Sequence, residues 1–252
     1  MSHALSQRFG TGLLPIDQFP GWDSAPAFIE SIAADENCRK IADVGGGANP
    51  VVSPRFVREH AVDYCLMDIS REELNKAPSH YTSKICVDVC SDSGKFFDAV
   101  GRTDFDLVFS HMFLEHIRNP VQVHKNLHVL LKRNGIAVHM YPSANNLPLT
   151  LNRVLPERIT RAMVRIAQPH RDLDGQYGKF PAYYRMCGNP NPRLRSLFEQ
   201  IGYAVVAHTG FIGHWYYKRI PGLNKFELMM RQLLLKYRIG MTSVQLLVLR
   251  KE

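Results

Sequence analysis

No run of about 18 apolar residues occurs in this 252-residue sequence, so a membrane-spanning helix is not expected. Residues 1–12 carry one arginine and no apolar segment, which argues against a secretory leader. There is no C-x-x-C pair among Cys38, Cys65, Cys86, Cys90 and Cys187, and the expectation is reduced, mostly buried thiols in a cytoplasmic protein. Internal repeats and low-complexity tracts are missing. Acidic residues are the scarcer charge, 23 against 31 basic, and the net +8 favours an anionic partner such as a nucleic acid, a phosphate-bearing metabolite or an acidic membrane face.

What is present is ordinary globular composition, 45% apolar and 21% charged, enough for one large domain over residues 1–252. Glycines and prolines make residues 1–25 an irregular arm leading into a helix over 26–34, so 1–39 reads as an N-terminal arm and helix. From residue 40 short apolar runs alternate with helical stretches. Strands are expected over 41–44, 63–67, 84–87, 105–109 and 135–140, with helices within 51–59, 71–76, 94–100 and 120–131 between them. That alternation predicts right-handed crossovers and a parallel sheet. Seven prolines interrupt 142–192, and 143–192 reads as an inserted cap. A last crossover helix over 192–201, a strand over 203–208, a basic helix over 224–239 and a strand over 243–249 complete 193–252 as an edge hairpin. The fold class is therefore α/β, a doubly wound, mostly parallel seven-stranded sheet with an antiparallel edge strand and an inserted cap.

Ile41-Ala42-Asp43-Val44-Gly45-Gly46-Gly47-Ala48-Asn49-Pro50 places a carboxylate at a buried strand's end, before a glycine-rich turn and a helix. Glycines there permit positive φ and let backbone amides approach a ligand. A dinucleotide fold wants a third glycine where Pro50 stands, and no Gly-Lys-Ser/Thr follows for a P-loop. Asp43 repels phosphate but attracts an ammonium or sulfonium. The stretch resembles the first motif of class I S-adenosylmethionine-dependent methyltransferases, D/E-x-G-x-G-x-G, departing from it at Asn49.

The resemblance extends, in order, over roughly residues 40–142. It implies that Asp68, ending the second strand, holds the ribose hydroxyls, with Ile69 beside it, and that Asp88 and the backbone of Val89 receive the adenine. Ser110-His111-Met112-Phe113-Leu114-Glu115-His116 resembles the family's S-x-x-x-L-E-H segment, which would lie under the sulfonium. Gly45, Gly46, Gly47 and Asp43 complete the implied cofactor set. No N-P-P-Y or D-P-P-Y tetrad follows the fourth strand, which argues against a nucleic-acid substrate.

Methyl transfer to a hydroxyl needs alignment and a base, and His111, His116 and His139 are the candidates, with Glu115 placed to orient His111 if 112–117 is helical. His124 and His128 share a helix face without a third ligand, so no metal is expected. Tyr141, Tyr183, Tyr184 and Arg185 combine aromatics with a cation and are candidate substrate contacts. His170-Arg171-Asp172 and Gly178-Lys179-Phe180 belong to the same distinctive set. The cap weakly resembles bacterial methyltransferases of surface-glycan or small-molecule pathways, which implies O-methylation of a sugar hydroxyl in a glycan or glycoconjugate. A phenol, amine or polyketide acceptor and a catalytically silent cofactor-binding module are the alternatives. Arg158, Arg161 and Arg165 opposite Ile159, Met163 and Ile166, and the basic apolar 223–239 stretch, fit packing against the domain, a homodimer, or peripheral contact with the inner face of an anionic membrane.

Overall fold

Alternation along the strands sorts the core into two layers. Leu107, Phe109, Ile136, Val138, Met140, Leu246 and Val248 fill one face of a sheet, whereas Val108, Ala137, Tyr141, Leu247 and Leu249 fill the other. Successive side chains of a strand point to opposite faces, so both faces must be covered by helices. The computed structural model of the chain describes residues 2–146, 181–215 and 221–252. The eight strands among the described residues are β1 (Thr11–Pro15), β2 (Lys40–Val44), β3 (Asp63–Asp68), β4 (Ser83–Cys86), β5 (Phe105–His111), β6 (Leu131–Pro142), β7 (Tyr203–Ile212) and β8 (Val244–Lys251). The described helices are α1 (Ser2–Arg8), α2 (Ala25–Asp35), α3 (Pro54–Glu59), α4 (Arg71–Lys76), α5 (Ser93–Val100), α6 (Pro120–Leu130), α7 (Pro192–Ile201) and α8 (Pro221–Lys236).

The sheet order is β1-β7-β8-β6-β5-β2-β3-β4. β2 pairs in parallel with both β3 and β5, so the winding reverses there and a crevice opens above the carboxyl ends of β2 and β5. The doubly wound, mostly parallel sheet is the expected architecture, and the closing β7–β8 hairpin is antiparallel. Two features differ in detail. The arm supplies an eighth strand, because Thr11–Pro15 pairs in parallel with His208–Ile212, a partner about 200 residues away. β8 lies between β6 and β7, antiparallel to both, which leaves β1 and β4 at the sheet's edges.

Helix starts follow local chemistry. Ser53, Ser70, Asp92, Asn119 and Asn191 each accept a backbone N–H of the first turn, and Pro54, Pro120 and Pro192 occupy positions whose N–H would be unpaired anyway. α5 and α7 end on Gly101 and Gly202 in left-handed conformation. No helix among the described residues is long and apolar enough to cross a membrane. Arg158, Arg161, Arg165, Ile159, Met163, Ile166, His170, Arg171, Asp172, Gly178, Lys179 and Phe180 lie outside the described residues, as does most of the expected cap.

Candidate active site

The glycine-rich turn leaves β2 at the reversal point. Gly45 and Gly47 have φ of 80° and 43°, and the Gly45 amide donates to the Met67 carbonyl at 2.8 Å, tying the loop to β3. A β-carbon on Gly46 would lie 2.7 Å from the Asp43 carboxylate, and one on Gly47 would lie 3.0 Å from Asp68 Oδ2. Gly45 is covered by the ring of Phe113. All three glycines are thus required by close approach, and the first two sequence marks converge in space.

Asp43 is placed differently from the expectation. It is buried beneath the loop, where its Oδ2 accepts the Tyr64 hydroxyl at 2.5 Å and the Val51 amide at 3.1 Å. Burial raises its pKa to about 6. In this geometry its carboxylate braces the glycine turn from below. Asp68 is half-buried at the end of β3 with Oδ1 accepting the Ser70 amide at 2.8 Å, and burial raises its pKa. Ile69 beside it is 63% exposed, an apolar surface at the crevice. Asp88 is exposed, and its Oδ1 accepts the Cys90 amide at 2.8 Å, capping its own loop. Val89 is buried and its carbonyl accepts from Asn126 Nδ2 at 2.9 Å.

The segment after β5 departs most from expectation. Residues 112–117 are not an α-helix: Met112 has φ of 52°, and only Leu114–His116 forms a single 3-10 turn. His111 and Glu115 therefore do not engage each other, and His111 Nε2 and Glu115 Oε2 are both enclosed without a hydrogen-bond partner. His111 instead packs on Trp22, ring centroids 5.2 Å apart, and burial lowers its pKa. Glu115 is 3% exposed, and burial lifts its carboxyl to about 7. Its Oε1 is 3.7 Å from His116 Nε2. His116 Nδ1 donates to the Pro181 carbonyl at 3.1 Å.

Three other candidates face inward. Ser110 and His139 are register partners on β5 and β6, both buried, joined Oγ to Nδ1 at 2.8 Å on the face packed by α6. His139 touches His124 and is fully buried away from the crevice, and burial pushes its pKa well down. Tyr141 lies on the same side, 1% exposed, and is a core residue instead of a substrate contact.

The described end of the cap docks on the Leu114–His116 turn. The Tyr183 and Tyr184 amides both donate to the Glu115 carbonyl, at 2.7 and 3.0 Å. Arg118 Nε donates to the Tyr183 hydroxyl at 2.7 Å, and Arg185 Nη1 donates to the Arg118 carbonyl at 2.8 Å. Met112, Tyr184 and Met186 all adopt positive φ here, conformations costing about 1–3 kcal/mol each that concentrate at functional sites. Trp22, Arg118 and Trp215 stand here without any role expected from the sequence. Phe19 contacts both tryptophans of the chain, at 5.0 Å to Trp22 and 6.0 Å to Trp215, forming an aromatic wall beside His111. Only the scarcity of tryptophan could have drawn attention to it.

The methyltransferase domain model matches residues 19–218, most of the chain. The chain belongs to that family. It is a class I S-adenosyl-L-methionine-dependent methyltransferase, an enzyme whose cofactor is S-adenosyl-L-methionine. Solved structures share the fold at low identity. A S-adenosylmethionine-dependent methyltransferase from Archaeoglobus fulgidus is 12% identical with a TM-score of 0.53, covering 92% of this chain and 97% of that one. One from Listeria monocytogenes, described as putative, is 13% identical with a TM-score of 0.53, covering 91% and 97%. Phosphoethanolamine N-methyltransferase 2 of Haemonchus contortus, solved with S-adenosyl-L-methionine, is 13% identical with a TM-score of 0.54, covering 99% of this chain and 56% of that one. No curated protein sequence matches. In this methyltransferase the glycine turn stands against the Asp68 carboxylate, with the exposed apolar side chain of Ile69 next to it in sequence.

Proposed function

We propose that this methyltransferase methylates a sugar hydroxyl of a glycan or glycoconjugate, with the acceptor bound between Trp22 and the Leu114–His116 turn. The observation that carries the reading is the orphaned Nε2 of His111, whose ring packs on Trp22. An unpartnered buried polar group costs about 1–3 kcal/mol, and an acceptor hydroxyl would supply the missing partner. The indole of Trp22 offers a flat apolar face on which a sugar ring can lie.

S-adenosyl-L-methionine supplies an activated methyl group. Asp68 and Asp88 would hold the nucleoside, with Ile69 against the adenine and Asp43 fixing the loop from below. His111, kept neutral by burial, would take the hydroxyl proton as the new carbon–oxygen bond forms and the carbon–sulfur bond breaks. Tyr183, Tyr184 and Arg185 would hold the rim of the acceptor site around Arg118. A small phenol remains the second reading, favoured by the same aromatic wall.

The test is transfer of radiolabelled methyl from S-adenosyl-L-methionine to matched panels of saccharides, phenols and amines. Turnover confined to saccharides supports the proposal. Turnover confined to amines defeats it, because the methylated atom is then nitrogen and not a sugar oxygen.

A further inference from the structure

α8 is inside-out. Its inner face carries Glu227 and Arg231, both buried and paired at 2.6 Å, with Asp17 also bonded to Arg231 and the His214 amide donating to Glu227 at 3.1 Å. Its outer face carries a stripe of Phe226, Met229, Leu233 and Tyr237, between 41% and 64% exposed. Their spacing of three and four residues sets them on one side of the helix. A globular protein ordinarily buries such a stripe.

Along the border of the stripe stand Lys225 and Lys236, with Arg238 just beyond, all exposed. Glu227 is the one acidic residue between positions 221 and 239, and it is turned inward. Beside the helix, between β1 and α8, lies a cavity of about 320 Å3 lined by Phe9, Leu13, Leu14, Leu235 and Arg238. Its walls mix these apolar side chains with Thr11 and the Arg238 cation.

We propose that this face seats the enzyme on an anionic phospholipid bilayer. The stripe enters the headgroup–acyl boundary, and Lys225, Lys236 and Arg238 meet lipid phosphates. Charge decides between occupants. A second copy docking through the same face would set these lysines against the same cationic patch, whereas an anionic surface complements them.

The test is co-sedimentation of the full chain with vesicles of phosphatidylglycerol and phosphatidylcholine in equal parts, and with phosphatidylcholine alone. The expected result is binding to the mixed vesicles at low salt, release at high salt and weak binding to the neutral ones. Lys225→Gln and Lys236→Gln should each weaken partition about fivefold. The double variant Phe226→Glu, Leu233→Glu should abolish it while retaining its thermal unfolding transition. No sedimentation at low salt, or sedimentation of the double variant equal to the wild type, overturns the proposal. So does a dimer seen by light scattering that the double variant converts to monomer, since that makes a second copy the occupant.

Discussion

Gly47 and Asp68 stand so close that a β-carbon on the glycine would lie 3.0 Å from the Asp68 carboxylate oxygen. Two motifs twenty residues apart in sequence thereby become one cradle. Replacing Asp68 by Ala removes a charged hydrogen-bond acceptor and should weaken S-adenosyl-L-methionine binding by about 1.5–3 kcal/mol, roughly 10- to 150-fold. Isothermal calorimetry reads this directly. An unchanged affinity would remove Asp68 from the nucleoside site.

Gly46 offers a steric counterpart. An alanine methyl there would meet the Asp43 carboxylate at 2.7 Å, forcing the carboxylate away from Tyr64 and Val51 or the loop away from the crevice. Gly46→Ala should therefore lose cofactor affinity and stability together. Tyr64→Phe removes one bond to Asp43 without a clash and should show a smaller stability loss, about 1 kcal/mol. Paired denaturant midpoints and calorimetry distinguish the two.

Much of this half was legible in the sequence because its signals are local. A glycine turn, an aspartate at a strand end and helix caps are set within a few residues, and β2 through β6 lie where the periodicity puts them. The failures are non-local or conformational. Thr11–Pro15 carries Gly12 and Pro15 and reads as a loop, and only pairing with a strand about 200 residues away makes it one. His139 and Tyr141 fall on the alternate that faces α6, so strand parity, more than position at a strand end, decides that they are buried. His111 and Glu115 would share a face only if Met112 were helical, and its positive φ breaks that register. Nothing in the local sequence brings Trp22 to His111.

Acid should destabilise the fold well before ordinary carboxylates protonate. His124 and His208 are buried, and burial lowers the pKa of each from 6.5 to about 4. A depressed histidine contributes stability that is complete above 6.5 and is lost progressively as pH falls from 6.5 to the folded value near 4. The loss below pH 4 is on the order of 3 kcal/mol per site. Urea midpoints measured from pH 7 to 4 should fall steeply, and His208→Gln should flatten that slope.

Glu115 runs in the opposite sense. Burial raises its carboxyl from 4.5 to about 7, so the neutral form is the one the fold favours. Stability from this group is full below 4.5 and is lost as pH rises through 7. Glu115→Gln keeps a neutral side chain at every pH. The melting temperature of this variant relative to the wild type should therefore climb between pH 5 and 8. A difference that stays constant across that range would mean that Glu115 is already ionised in the folded protein.

The ion pair under α8 yields the last prediction. Arg231 is 5% exposed and its guanidinium serves both Glu227 and Asp17. Arg231→Met leaves the Glu227 carboxylate buried without its counter-charge, a loss of about 3–5 kcal/mol where one partner of a buried pair is removed. Adding Glu227→Leu removes the stranded charge and should restore much of the stability, because two apolar side chains of similar volume fill the same space without desolvating ions. A double-mutant cycle in urea measures the coupling. If the double variant proves as unstable as Arg231→Met alone, the helix is held by its ionic geometry itself, and packing cannot substitute for it.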